Sequence, residues 1–269
     1  ISLSGPIAVI TALPSATVTT LANSNLRWEK AGVLNIGLDA KLLNEKLSIS
    51  AEVYKKNCVD LISATPIDQT SGLSLMSLNV ASLDVKGVDL KIDAGIINRK
   101  ISWKSQLFFS YNKNTVRSYF NSSASVSQFI GYNYSIIPRE GADPYTLLSY
   151  TFNGLDSVGD PIGSLNGKAS KDYTNILSKA TWDDVQASGS TRPPVFGSFI
   201  NTISYKGFAL TASVQYKFGY WFRRNTINYS SLYSSWIGHE DFYKRWQKPG
   251  DELTTNVPAM SYPANSNRD

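Results

Sequence analysis

His239 is the single histidine of the chain, and it stands directly before Glu240 and Asp241. An imidazole beside carboxylates is the raw material of general acid–base chemistry. No partner nucleophile accompanies it, and its surroundings are polar and loop-like, so a structural or solvent-exposed role is expected. One histidine also excludes a multi-histidine metal site. Asp156 and Asp160, in GLDSVGDP, offer carboxylates for a cation. They lack the full ligand spacing of a calcium-binding loop, and Gly-Asp-Pro reads as a turn. Arg223-Arg224 offers two cations to a phosphate or an anionic substrate, but a solvated loop pair is the expectation. No pair of carboxylates announces the convergent geometry of a glycoside hydrolase. What remains is aromatic. Tyr132, Tyr134, Trp182, Trp221 and Trp236 fall in loop regions, as do Tyr145 and Trp246. A ring there can stack on a sugar face, and it can equally fold a long loop onto itself. Binding contacts are therefore expected at Tyr132, Tyr134, Trp182, Trp221 and Trp236, with no catalytic, cofactor or metal residues. The chain is not expected to be an enzyme.

Composition agrees with that sparse chemistry. Of 269 residues, 17% are charged and 12% aromatic, and 26 basic against 21 acidic residues leave a net charge of +5. A soluble domain averages about 25% charged residues. The positive charge is modest and scattered, so no nucleic-acid partner is expected. No apolar run approaches the roughly 18 residues of a membrane helix. Cys58 has no second cysteine to bridge to. The first residues lack the charged start of a signal peptide, and both ends read as cut from a longer chain.

The elements that must position these residues alternate with period two. Phe208, Leu210, Ala212, Val214, Tyr216 and Phe218 share one parity, against Ala209, Thr211, Ser213, Gln215 and Lys217. The same pattern sets Leu34, Ile36, Leu38, Ala40 and Leu42 against Asn35, Gly37, Asp39 and Lys41. It recurs from Leu47, from Val88 and from Ile101, and residues 195–205 are β-rich with ambiguous parity. Alternation of this kind marks strands with one apolar face. Hairpins are predicted at 32–57, 86–118 and 195–220, with tight turns inside them. Residues 1–31 read as a loop or connector, and 58–85, 119–194 and 221–269 as long loops.

Strand length separates the two ways of using an apolar face. These segments run to about 11 residues, the length a tilted transmembrane strand needs, whereas soluble strands cluster near 5–6. Short turns alternating with long loops, and aromatics at strand ends, fit an outer-membrane barrel with periplasmic turns and extracellular loops. The opposite parity, with Asp39, Glu52, Asp89, Lys91, Asp93, Lys104 and Lys217, then faces a wet lumen. Six strands are too few to close, so a segment of a larger all-β, antiparallel barrel is expected. The alternative is a soluble β-rich carbohydrate-binding or adhesin module, whose apolar parity packs against a second layer.

Five blocks resemble the SusC/RagA family of TonB-linked outer-membrane transporters. They are NSNLRWEKAGVLNIGLDAKLLNEKLSISAEVYKKNCVDLI, VKGVDLKIDAGIINRKISWKSQLFFSYNKNTV, YTFNGLDSVGDPIGSLNGK, RPPVFGSFINTISYKGFALTASVQYKFGY and RWQKPGDELTTNVP, in the family's order. Gly197-Ser198 departs from the family's Gly-Gly at that place. The resemblance implies the C-terminal part of a barrel of about 22 strands, without its plug domain. It also implies an importer of oligosaccharides or peptides in the outer membrane of a Gram-negative bacterium, contacting its lipid. A SusD-like surface lipoprotein would act as lid, and TonB would be reached through a missing N-terminal region. The five loop aromatics would then contact substrate or lid. No cofactor is implied.

Overall fold

Five stretches of apolar–polar alternation and the β-rich stretch 195–205 become six long antiparallel strands of one sheet. The computed structural model describes residues 3–4, 17–18, 22–68, 70, 75–120, 126–130, 137 and 139–268. In chain order the strands are β1 (Leu3–Ser4), β2 (Thr17–Val18), β3 (Lys30–Leu42), β4 (Leu47–Pro66), β5 (Leu75–Asn98) and β6 (Ile101–Tyr119). Then come β7 (Thr146–Tyr150), β8 (Gly163–Leu165), β9 (Lys168–Ser170), β10 (Val185–Ser190), β11 (Val195–Tyr205) and β12 (Phe208–Phe218). Two short helices are α1 (Tyr173–Lys179) and α2 (Tyr229–Ser235). The chain forms two units, one of residues 1–122, 138–144 and 194–218, the other of residues 123–137, 145–193 and 219–269.

The first unit is the sheet, in order β12-β11-β6-β5-β4-β3. Two of its tight turns are set by residues in the left-handed region. Leu43, Asn44 and Glu45 take φ of 55°, 53° and 64° between β3 and β4, and Lys206 and Gly207 take 44° and 85° between β11 and β12. Two successive positive φ values give the hairpin twist that matches right-twisted strands. Inside the sheet Gly87 lies directly opposite Tyr54, and a Cβ there would run into the Tyr54 ring. The ring fills the space that a side chain would take.

The strands outrun the alternation. β4 continues to Pro66 and β5 begins at Leu75, so most of the stretch expected as a loop from 58 to 85 is strand. Past Lys55 and Lys86 the apolar face turns polar, with Asn57 opposite Asp84 and Asp84 opposite Thr115, so periodicity fades while ladder pairing goes on. The pairing shifts register between Cys58 and Ile62, where Asp60 takes a φ of 59°. Arg27 holds this bulge through Asp60 at 2.6 Å, and Asn79 donates to the carbonyls of Arg27 and Asp60 at 2.8 and 2.6 Å. Glu29 accepts from the Ile62 amide at 2.8 Å. The Asn-x-x-Leu-x-Trp-Glu segment thus splints the extended end of β4 and β5.

The second unit folds where 119–194 and 221–269 read as loops. β7 pairs with β10 and β8 with β9, all antiparallel. Asp172 caps α1 by accepting from the Asn175 amide at 3.2 Å, and Asn228 caps α2 by accepting from the Ser231 amide at 2.7 Å. Val126, Ile137 and Leu148 make the buried apolar cluster, with Phe129, Ile130, Trp182 and Val185 against it. Tyr229 is also buried, its hydroxyl donating to the Pro258 carbonyl at 2.7 Å.

Candidate functional site

The register sorts the sheet into two faces. One cross-strand row runs Ile36, Val53, Val88, Tyr111, Val195, Phe218, and another runs Ala40, Ile49, Ile92, Leu107, Phe199, Val214. This apolar face is open: Leu34, Ile36, Leu210 and Val214 are 63%, 67%, 73% and 61% exposed. None of the buried apolar residues falls within 32–57, 86–115 or 195–218. Each bulky aliphatic left in water forgoes about 1.5–3 kcal/mol. At roughly two-thirds exposure the four together forgo about 4–8 kcal/mol, comparable to the stability of a small domain. Hydrocarbon removes that cost, and the second layer of a soluble module is not found on this face among the described residues.

The dimensions fit the same solvent. Along β6, Tyr111 to Ile101 is ten steps of about 3.3 Å. Tilted by about 40°, this spans about 25 Å, the height of an outer-membrane apolar band. Trp103, Tyr205 and Phe208 stand at its turn end, and Tyr111 and Phe218 at the other. Trp103, Tyr205 and Tyr111, rings with one polar edge, suit the two boundaries.

The opposite face carries the charges. Asp39, Glu52, Asp89, Lys91, Asp93, Lys104 and Lys217 share it by register. Lys91 pairs with Asp93 at 3.1 Å, Gln106 donates to Asp93 at 2.6 Å, and Asn35 donates to Glu52 at 3.2 Å. Ser50 donates to Asp39. The hydroxyls of Thr202 and Thr211 meet at 3.1 Å. A depression of about 340 Å³ is bounded here by Ser48, Asp93, Lys104, Gln106 and Thr202. Such a face offers hydrogen bonds of both polarities to a polar solute.

In the second unit the carboxylates turn out to be structural. Asp184 is fully buried and accepts four hydrogen bonds: from the Ser164 hydroxyl (2.8 Å), the Gly167 amide (2.8 Å), and the Thr181 amide (2.9 Å) and hydroxyl (2.7 Å). Burial alone raises its pKa, and these donors more than offset that, holding the carboxyl well below the usual carboxylate range. Asp156 accepts from the Val158 and Asp160 amides at 3.0 and 2.9 Å, as the turn reading of Gly-Asp-Pro requires. Lys171 bridges Asp156 and Asp160 at 2.6 and 2.8 Å, which pushes its own pKa up, and Arg268 adds a contact to Asp160 at 2.8 Å.

The arginine pair is exposed, as a solvated pair would be, but both members have partners. Arg224 is bidentate to buried Asp241, at 3.2 and 2.8 Å, and Arg223 donates to the Leu148 carbonyl. The Arg224 hydrogen bonds hold the Asp241 carboxyl below its ordinary range. His239 caps the following turn by accepting from the Asp241 amide at 3.1 Å. Within the trio His239 and Asp241 hold the local turn, while Glu240 is 71% exposed. Thr181 and Asp184 form a local Thr-x-x-Asp capping box, but the donors that make Asp184 and Asp241 anchors, Ser164, Gly167 and Arg224, come from distant positions.

The aromatic candidates go to different places. Tyr132 and Tyr134 lie outside the described residues. Trp182 stacks on Phe129, with centroids 6.4 Å apart, and joins the apolar cluster. Trp221 rests on Gly189, where φ is 144° and a Cβ would come within 2.6 Å of the indole. Its amide donates to the Ser190 carbonyl at 2.8 Å, and 53% of the residue stays exposed. Trp236 closes α2 in the left-handed conformation and is 89% exposed. Trp221 and Trp236 make no ring contact with each other among the described residues. Tyr145, an outlying candidate, is covered by the Arg192 guanidinium at 3.6 Å.

No family model matches the chain. It is 28% identical over 238 residues to TonB-dependent receptor P3 of Formosa agariphila, across 80% of this chain and 22% of that protein. It is 24% identical over 300 residues to TonB-dependent receptor P39 of the same organism, across 92% and 28%. TonB-dependent receptor SusC of Bacteroides thetaiotaomicron is 28% identical over 96 residues, across 35% and 10%. The chain thus spans less than a third of the length of these relatives. Among solved structures it is similar to the RagAB peptide importer in its closed-closed state, with TM-score 0.75 and 22% identity over 98% of this chain and 29% of that one. Alternating register, an uncovered apolar band and these likenesses agree: the chain has the fold of a segment of an outer-membrane β-barrel and is similar to TonB-dependent receptors of the SusC/RagA type.

Proposed function

We propose that the intact receptor imports oligosaccharides or peptides, with this chain supplying barrel wall and folded extracellular loops. A SusD-like surface lipoprotein closes the mouth, and TonB supplies the energy. The observation that carries this reading is the sorting of charge, with Asp39, Glu52, Asp89, Lys91, Asp93 and Lys104 all on the face opposite the apolar band. A wall of that kind borders a wet conduit. The names borne by the relatives, receptors dependent on TonB and a peptide importer, support the same direction.

In this reading the chain breaks no covalent bond. Polar solutes exchange water for hydrogen bonds to the charged face of the sheet. In the loop unit, the exposed rings of Trp221 and Trp236 offer stacking surfaces of their own. Each stacked ring contributes about 0.5–1.5 kcal/mol, or roughly 2- to 10-fold in affinity. Uptake of labelled oligosaccharides and labelled peptides by cells with and without the full-length receptor tests the proposal. One of the two classes is expected to enter only with the receptor, and W221A/W236A to weaken its binding by about tenfold. Unchanged uptake of both classes without the receptor would overturn it.

A further inference from the structure

Just above the apolar band, Lys55 lies opposite Lys86 and Lys86 opposite Lys113, a row of three lysines on adjacent strands β4, β5 and β6. They have the parity of the apolar face: each is two residues beyond Val53, Val88 or Tyr111. Like charges placed directly across a ladder repel and destabilise the pair. Among the described residues none of the three is ion-paired. Asp84, one row further out on the same face, offsets one charge and leaves a surplus of two. Below the row is a groove of about 250 Å³, lined by Leu34, Ile36, Val53, Val88 and Tyr111 and rimmed by Lys55 and Lys86. The row lies on the side of the apolar band away from the tight turns, which is the extracellular side in such barrels.

A cationic rim over an apolar groove matches one kind of occupant. We propose that this face seats a phosphate-bearing lipid of the outer leaflet, its phosphate on the lysine row and an acyl chain in the groove. The lysine stems lie along apolar surface while their ammonium groups reach the headgroup level. The phosphate supplies the counter-charge that the row lacks. The inference rests on the barrel reading of the sheet, since only a lipid-facing side can meet such a ligand.

The test uses the full-length receptor in detergent, titrated with diphosphoryl lipid A and with the same lipid stripped of both phosphates. Each lysine near an anionic lipid is worth about fivefold in affinity. K55Q/K86Q/K113Q is therefore expected to bind the phosphorylated lipid about a hundredfold more weakly. K168Q/K179Q, which removes lysines of the second unit, is expected to bind like the parent. If the triple variant fails the heat-modifiability test for a folded barrel, K86Q alone is expected to lose about fivefold and K86R nothing. Equal binding by parent and lysine variants, equal binding of the stripped lipid, or full displacement by inorganic phosphate would overturn the proposal. Spin labels at Leu210 separate the two failures, because lipid contact there upholds the barrel even when the lysine row binds nothing.

Discussion

Asp184→Ala removes the acceptor on which the folded loop unit converges. Four hydrogen bonds end on this carboxylate, and they join the β8–β9 turn at Gly167 to the short 3₁₀ turn that begins after Thr181. Hydrogen bonds to a charged group contribute about 1.5–3 kcal/mol each, but members of one network are not additive. A total near 4 kcal/mol is expected for the alanine variant, and about 2 kcal/mol for Asp184→Asn, which keeps one acceptor oxygen. Amide exchange in the full-length receptor reads this directly. The Gly167 and Thr181 amides are expected to open about a thousandfold more readily in Asp184→Ala. Because the folded pKa is depressed, the stabilisation is complete above the unfolded value of about 3.9 and is lost only as pH falls below it. Opening is thus expected to be flat from about pH 5 to 8 once intrinsic exchange is divided out, and to rise below about pH 4. Unchanged protection at both amides in Asp184→Ala would refute the reasoning.

Three other substitutions probe separate parts of the account. Val214→Arg, at mid-height of the apolar band, is expected to cost about 2–4 kcal/mol in urea unfolding from bilayers, and Ser213→Arg on the polar face less than about 1 kcal/mol. Gly87→Val forces the Tyr54 ring out of its place and is expected to cost about 1–3 kcal/mol, relieved in Gly87→Val/Tyr54→Ala, as the same unfolding assay can show. Arg224→Ala strands the buried Asp241 carboxylate. It is expected to cost about 2 kcal/mol by local exchange around residues 239–245, less than a fully buried pair because Arg224 is over half exposed.

How legible each part was follows from what holds it. The hairpins could be read because hydrocarbon demands an apolar residue at every second position, as from Phe208 to Phe218. Above the lysine row that demand ends. Residues 58–66 and 75–85 are strand through ladder pairing and through the Arg27–Asp60 and Asn79 clamps, none of which leaves a periodic trace. The loop unit was illegible for another reason. Asp184 gathers donors from positions 164, 167 and 181, and Arg224 finds Asp241 seventeen residues later. A chain read by neighbours shows Arg223-Arg224 as a solvated pair and Trp182 as a free loop ring. Only the fold supplies Asp241 and Phe129 as their partners.

The central claim is that one parity of the sheet meets lipid and the other meets water. Spin labels at Leu210 and Thr211 of the full-length receptor in bilayers test it most directly, through their relative accessibility to oxygen and to a water-soluble nickel chelate. The account predicts oxygen-dominated, lipid-like accessibility at Leu210 and chelate-dominated accessibility at Thr211, one residue along β12. Equal accessibility at the two positions, or burial of Leu210 from both reagents, would contradict it.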